Sequence, residues 1–376
     1  AAGAKISSAV GFTSVKTELR NERIHSTTLG DPLADPVKIR SKKNRYYDHF
    51  KSRSLLSFSA DHHLQWNRLH LNGGLLLHAL ATGPLESGQP LGSGQSGQPG
   101  LPLGSGQPGL PLQVGLYPGI DLSYLLRDGL TAFASVNRSM RLPTYTDLYY
   151  EGPQNRGNPD LLPEKAVTFE TGLKYDADWL KADLALFYRK GVETIDWIWR
   201  DSVWQTSNLT DLDTYGGEVS LNLIPATLIR NLRSASATQT APLAQPSLSA
   251  PLARIFNAIS HLRIAYSYLE LSKSSDAHIS NYALDNLKHK LIFDLGLKLP
   301  LEKFPPAERI LFMKSSLPTE FFLDGKATWQ QRNGAYLHYE TPQSAPYDTP
   351  YNPFWLIDLR AGIRLSKITL YADVTN

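Results

Sequence analysis

Two stretches of strict two-residue alternation face each other across a polar segment, and they restrict the fold more than any other feature of the chain. In the first, Leu130, Ala132, Ala134 and Val136 fall on one side, and Thr131, Phe133, Ser135 and Asn137 on the other. In the second, Val167, Phe169, Thr171, Leu173 and Tyr175 oppose Thr168, Glu170, Gly172 and Lys174. A side-chain period of two belongs to a β-strand with one apolar face. Between them Arg138–Lys165 holds four prolines, three tyrosines and the turn cluster Asn155-Arg156-Gly157-Asn158-Pro159. The unit is a β-hairpin carrying a long surface loop.

The same pattern recurs along the chain. Strands are expected at Ala4–Leu19, Ser54–Asp61, Arg68–Leu80, Gly119–Leu126, Leu130–Asn137, Val167–Tyr175 and Leu180–Arg200, the last unusually long. Others follow at Trp204–Ile224, His261–Leu271, Leu287–Leu299, Glu320–Leu337, Trp355–Leu365 and Ile368–Asn376. Helical periodicity is nearly absent, and the total is about 13 strands. Most are longer than the roughly 5–6 residues of a soluble strand and suit the 9–11 of a spanning one.

The connections alternate in length. His62–Asn67, Arg127–Gly129, Asp176–Asp178 and Ser366-Lys367 are short, whereas Arg20–Arg53, Ala81–Val114, Met140–Glu164 and Arg332–Phe354 are long. Outer-membrane barrels alternate short periplasmic turns with long outer loops. Two long connections, 225–260 and Pro300–Thr319, fall on the short side by parity. The tract 84–113 repeats GSGQPGLPL with small changes. Such a Gly/Pro/Gln/Ser segment buries too little apolar surface to fold and is expected to be a flexible loop. The 225–260 segment is expected to be an irregular connection.

Composition closes off other classes. With no cysteine there are no disulfides, thiolate metal sites or cysteine nucleophiles. A net charge of +3, spread along the chain, does not indicate nucleic acid. No apolar run reaches the roughly 18–20 residues of a transmembrane helix, so a membrane form must be a closed barrel. Eighteen tyrosines and seven tryptophans suit interfacial girdles. The N-terminal AAGAKISSAV has no charged region followed by an apolar core and is not a signal peptide. A soluble all-β sandwich or propeller is the competing fold on alternation alone.

The hairpin loop also carries a resemblance. Ser139-Met140-Arg141-Leu142-Pro143-Thr144-Tyr145-Thr146-Asp147-Leu148-Tyr149 and then Gly157-Asn158-Pro159-Asp160-Leu161-Leu162-Pro163-Glu164-Lys165 resemble a two-part signature of TonB-dependent outer-membrane receptors. Tyr215-Gly216-Gly217-Glu218-Val219 and Tyr371-Ala372-Asp373-Val374-Thr375-Asn376 resemble two later segments of that family. The resemblance covers Tyr117 to Asn376 and is nearest the cobalamin-receptor-like and siderophore-receptor-like members. It implies an all-β transmembrane antiparallel barrel of about 22 strands around a plug. This chain would supply the C-terminal part, without the plug, and would be a fragment.

The resemblance further implies active import of a scarce small-molecule nutrient across the outer membrane of a Gram-negative cell. The TonB complex would act through a plug outside this chain. Lipid, lipopolysaccharide and a surface lipoprotein are the other expected partners, with no nucleic acid and no cofactor. A passive porin or a structural adhesion barrel is the alternative.

Candidate ligand contacts lie in two places. Tyr145, Tyr149 and Tyr150 can stack on a ligand, although the outer aromatic girdle is favoured for them. Asn155 and Arg156 sit at the loop tip, where a solvated turn competes with contact to an anion. Trp197 and Trp199, with Trp204 across the next turn, form the densest aromatic cluster. Pro143, Pro159 and Pro163 are read as architectural, since proline ends a ladder, and Glu164 as an anchor for the loop. His62-His63 are expected at a turn, and His70 and His78 lie roughly 26 Å apart along one strand, too far to share an ion. No GxSxG, HExxH or phosphate-loop motif is present, so no enzyme is expected.

Overall fold

The computed structural model describes residues 1–39, 45–82, 113–209, 211–225, 227–228, 258–273, 286–300, 319–338, 340, 347–365 and 367–376. The first elements are β1 (Ala2–Ser7), β2 (Gly11–Ser26), β3 (Asp31–Lys38), β4 (Tyr46–Trp66), β5 (Leu69–Thr82), β6 (Gln113–Arg127) and β7 (Leu130–Arg141). A short helix, α1 (Tyr145–Tyr149), and β8 (Asn155–Arg156) precede β9 (Glu164–Ala177) and β10 (Leu180–Val192). The hairpin β11 (Thr194–Arg200) and β12 (Val203–Leu209) leads to β13 (Leu212–Leu223), β14 (Ile259–Lys273) and β15 (Leu287–Pro300). The chain continues through β16 (Thr319–Arg332), β17 (Ala335–His338), β18 (Tyr347–Pro350), β19 (Phe354–Leu365) and β20 (Ile368–Val374).

One antiparallel meander dominates. Its order is β1-β2-β4-β5-β6-β7-β9-β10-β13-β14-β15-β16-β19-β20, with β3 paired to β4 off the path. Every neighbour on this path is next in the chain once the loop elements are set aside. The hydrogen-bond ladder therefore needs only local turns and no crossovers. β1 and β20 stand at the ends of the path, and all their residues are exposed. Among the described residues the sheet is not closed on itself.

Register separates the two faces. Trp66, Leu69, Tyr124, Ala132, Leu173, Leu184, Val219, Tyr266, Leu291, Trp329 and Trp355 are successive cross-strand partners from β4 to β19. The row starts at the turn end of β4 and finishes near the loop end of β19, the stagger that tilted barrel strands require. One residue away runs Gln65, His70, Ser123, Phe133, Gly172, Ala185, Glu218, Ser267, Lys290 and Gln330. The first face is apolar yet exposed, Leu184, Val219, Ile357 and Leu359 among its residues. The second is largely polar. A single-layer wall cannot bury its apolar face against protein, so that face needs lipid. Aromatic residues gather on it near the loop end. Phe169 stacks on Tyr188, and His289 contacts Tyr266, Tyr268 and Trp329.

Several strand limits differ from those read off the sequence. Ala4–Leu19 is two strands, turned at 8–10 by a bond from the Ser8 amide to the Gly11 carbonyl of 2.7 Å. Much of Arg20–Arg53 is strand rather than loop, since β2 runs to Ser26 and β4 starts at Tyr46. Those residues are polar and pair with one another, Asn21 donating to Ser54 at 2.9 Å and Arg53 to Glu22, so alternation fails while the ladder continues. His62 and His63 lie within β4, and the turn is Asn67-Arg68. Asp176 and Ala177 likewise belong to β9, and the turn there is Asp178-Trp179. The expected long strand Leu180–Arg200 breaks at Glu193, whose φ is +57°. The expected Trp204–Ile224 return is two strands, β12 and β13, and Glu320–Leu337 likewise divides into β16 and β17. Lys288 sits at a bulge and bonds Glu270 at 2.6 Å. The pairing places the 225–260 and Pro300–Thr319 connections at the turn end. Nearly all of their residues, like those of the 84–113 tract, lie outside the described set. No described helix is long and apolar enough to cross a membrane, which says nothing against crossing by strands.

Candidate ligand-binding face at the loop end

The two candidate stretches, some forty residues apart in the chain, fold into one body at the loop end. Local sequence starts it. Thr144 caps α1, its hydroxyl accepting from the Asp147 amide at 3.1 Å while the Asp147 carboxylate accepts from the Thr144 amide at 2.9 Å. This reciprocal box stabilises a helix too short to persist alone. Leu148 of α1 then packs with Leu161, Ile195 and Tyr149 in a small core.

Backbone approach needs glycine at one point. The Gly157 amide donates to the Tyr150 carbonyl at 2.6 Å, and a Cβ on Gly157 would lie 2.8 Å from the Leu148 carbonyl carbon. Any side chain there would push α1 off the loop. The two residues before it form β8, and Asn155 and Arg156 pair in parallel with Trp204 and Gln205 of β12. β11, β12 and β8 thus form a three-stranded sheet of their own.

Polar side chains lock this sheet to the barrel strands. Glu164 accepts from the Ile195 amide at 2.7 Å and from Arg141 at 2.6 Å, which is the anchoring role expected of it. Asn208 accepts from the Leu162 amide at 2.9 Å and donates to the carbonyls of Leu162 and Glu193 at 3.0 and 2.7 Å. Thr206 donates to the Asp147 carbonyl at 2.7 Å. Asp196 and Ile198 are fully buried within the sheet.

The aromatic residues divide by place. Tyr150 meets Trp197 edge-on, with ring centroids 6.3 Å apart, inside the contact between the two stretches. Trp199 and Trp204 pair across β11 and β12 with centroids 5.2 Å apart. Trp199 remains 39% exposed, so this pair presents an aromatic edge to solvent. Arg156 and Arg200 are exposed at the adjacent register positions, on the other face of this sheet. The hairpin tip, Asp201-Ser202, has φ of +51° and +64° without any glycine.

Tyr145 and Tyr149 do not join the lipid-facing girdle, contrary to the sequence-based expectation. They stack at 6.3 Å and point toward the β2–β4 rim. The Tyr145 hydroxyl donates to the Glu22 carbonyl at 3.2 Å, and the Arg53 guanidinium lies 4.8 Å from its ring centre. Arg53 also donates to the Pro143 carbonyl at 2.6 Å. Lys51 sits 5.2 Å from the Tyr149 ring and bonds Asp31. Arg53 shares the polar face of β4, so α1 bends inward over the mouth. Burial raises both phenols above the ordinary tyrosine range, and nearby Arg53 and Lys51 oppose the shift. Both hydroxyls therefore stay protonated at neutral pH.

The histidines serve the wall. His62 bonds Thr13 at 2.8 Å, His63 stacks on Phe12 and His78 bonds Ser57 at 2.8 Å. Among the described residues, no group of three or more His, Asp or Glu could hold a metal ion.

A family described as "TonB dependent receptor-like, beta-barrel" matches residues 10–376. The chain belongs to the TonB-dependent receptor β-barrel family. This is a family of outer-membrane transporters and receptors of Gram-negative bacteria rather than of enzymes. Solved structures share the fold at low identity. The copper transporter OprC aligns with a TM-score of 0.59 and 14% identity over 100% of this chain and 50% of that one. The FrpB iron transporter from Neisseria meningitidis gives 0.59 and 9% over 100% and 51%. The ferric enterobactin receptor PfeA of Pseudomonas aeruginosa, a mutant in complex with enterobactin, gives 0.58 and 16% over 97% and 46%. The receptor barrel thus spans about half the length of the structures it matches. No curated relative matches at the sequence level.

Sequence reasoning missed the inward strap of Arg53, Glu22 and Tyr145, because nothing local links residues so distant. It also missed α1, although Thr144-Tyr145-Thr146-Asp147 carries a capping signal. Asn208 gave no sign in the sequence of its three bonds.

Proposed function

We propose that the chain is the membrane barrel of an active outer-membrane transporter that captures a metal-bearing small-molecule nutrient, either a ferric siderophore or cobalamin. Energy relayed by the TonB complex through a plug domain would drive uptake. The observation that carries this reading is the aromatic body at the mouth. Trp199 and Trp204 present rings at its edge, and Arg156 and Arg200 are exposed one register position away, on the other face of the same small sheet. Large flat rings lose little conformational freedom on binding, and arginine recognises carboxylate or catecholate oxygens. Tyr150, Trp197 and Asn155 are assigned to hold that edge in place. Tyr145 and Tyr149 hold the strap that keeps it over the lumen.

Growth of a deletion strain on defined ferric-siderophore and cobalamin sources tests the reading. Uptake restored by the full-length gene and lost with Trp199→Ala/Trp204→Ala supports it. Growth independent of the gene on every such source, together with a steady open conductance in planar bilayers, would replace it with a passive pore.

A further inference from the structure

Near its loop end β10 carries one arginine on the luminal face, Arg189, in register with Thr168 of β9 and Thr214 of β13. The side chain is half-buried. Among the described residues it forms no ion pair and no hydrogen bond. Glu170, diagonal to it across β9, lies beyond ion-pair reach. Its outward neighbours are satisfied, since Lys190 pairs with Asp211 at 3.2 Å and Tyr188 donates to Asp213 at 2.8 Å. An unmatched guanidinium on the inner wall is therefore particular to this position of the strand.

The next luminal position on β10 is a glycine. A Cβ on Gly191 would lie 3.7 Å from Arg189 Nη1 and 3.4 Å from Thr194 Oγ1. The guanidinium thus runs up the strand and lies over Gly191, in space that a larger side chain would take. Glu193, with φ of +57°, turns the chain here and sets the Thr194 hydroxyl over the same glycine. Thr194 opens β11, so this point is the base of the β11–β12 hairpin. Trp199 lies roughly 17 Å farther along β11 at strand rise. The cation and the aromatic edge are two separate stations on one path, the edge at the hairpin end and the cation at the wall.

Arginine offers a planar fork of donors that matches a pair of carboxylate or catecholate oxygens. A fork already partly withdrawn from water and packed along a strand loses little freedom on binding. We propose that Arg189, with Thr194 beside it, is an inner oxyanion subsite that selects an anionic metal chelate over uncharged or cationic cargo. The ligand meets the Trp199–Trp204 edge first and then presents its anionic oxygens to Arg189. The inference rests on the transport reading above and deepens it, since it favours an anionic ferric chelate over cobalamin.

The test is equilibrium binding to the full-length receptor, plug included. The probes are ferric citrate and a ferric tris-catecholate, both anionic, with uncharged cyanocobalamin and cationic ferrioxamine. Wild-type protein is expected to bind an anionic probe most tightly. Arg189→Ala is expected to weaken that binding about 10-fold or more and Thr194→Val about 3-fold, the scales for hydrogen bonds to charged and neutral groups. Arg189→Lys keeps the charge without the fork and is expected to recover only part. The heat-modifiable gel shift checks that each variant is folded. Preference of the wild type for cyanocobalamin or ferrioxamine overturns the proposal, as does an equal loss of all probes in Arg189→Ala. Steady open conductance of Arg189→Ala in planar bilayers, with anionic binding intact, would make Arg189 a plug contact instead. If Trp199→Ala/Trp204→Ala abolishes anionic binding and Arg189→Ala does not, the subsite falls and the transport reading stands. If the wild type binds none of the probes, both fall.

Discussion

The Phe187 ring lies over Gly216, its partner on the next strand, and closes the space a side chain on Gly216 would need. A Cβ on Gly216 would sit 2.7 Å from the ring and 2.1 Å from the Tyr268 carbonyl oxygen. The same arrangement recurs where Phe133 faces Gly172 and Phe322 faces Gly362. Each pair is on the luminal face. An aromatic ring covering a cross-strand glycine restores contact that glycine cannot make and lets the sheet coil at that point. The Gly216 of the family-like Tyr215-Gly216-Gly217-Glu218 segment thus has a steric cause.

Gly216→Val is expected to abolish barrel folding, and Phe187→Ala to lower stability by about 0.5–1 kcal/mol. Gly73→Ala is the control, since no atom lies within 4 Å of its added Cβ. Urea titration of the heat-modifiable gel band reads all three. A Gly216→Val barrel with a wild-type midpoint contradicts the steric account.

Asn208→Ala removes three hydrogen bonds that tie β12 to the Leu162 and Glu193 backbone. The expected cost is about 1–3 kcal/mol, because polar backbone groups lose their partner. Limited proteolysis should cut the β11–β12 hairpin first, with the membrane strands protected. Unchanged cleavage would show that the hairpin is held elsewhere.

The Asp201-Ser202 tip has positive φ at both positions. Left-handed backbone favours Asn and Gly in a two-residue hairpin turn. Asp201→Asn/Ser202→Gly should therefore stabilise the hairpin by about 0.5–1 kcal/mol. Slower amide exchange across Trp199–Trp204 checks it.

Tyr145 and Arg53 form the strap from α1 to the β4 rim. Tyr145→Phe keeps the ring under Arg53 and loses the Glu22 bond, for about 1 kcal/mol. Arg53→Ala loses more, since it leaves the Pro143 carbonyl unpaired. A double-mutant cycle should show coupling, and strictly additive effects would refute contact between the two.

Trp199→Ala and Trp204→Ala are expected to weaken ligand affinity by about 1–2 kcal/mol each while leaving the unfolding midpoint unchanged. Equilibrium binding of ferric siderophore and of cobalamin measures this. Full affinity in both variants would move the binding face elsewhere on the rim.

Much of the wall was legible in order of residues. Leu184, Leu186 and Tyr188 against Asp183, Ala185 and Phe187 read as a strand with one lipid face, and the structure has that strand. Alternation works there because one face meets hydrocarbon and the other water. At the rim polar side chains pair with polar side chains, as Asn21 does with Ser54 and Glu22 with Arg53, so Asn21, Glu22, Asp48 and His49 give no period and read as loop. Glu193 ended a strand that pattern alone prolonged to Arg200, since a left-handed residue leaves no mark on hydrophobic periodicity.

The sequence by itself determined the β-fold, its succession of long strands, and the family. Those properties follow from side-chain period and local turn chemistry, which act over a few residues. Only the tertiary structure decided that Tyr150 meets Trp197, that β8 joins β12, that Tyr145 reaches Glu22 across the mouth, and that Arg189 lies over Gly191 with Thr194. These depend on register and loop packing between distant segments, where one residue's shift exchanges the faces of a whole strand.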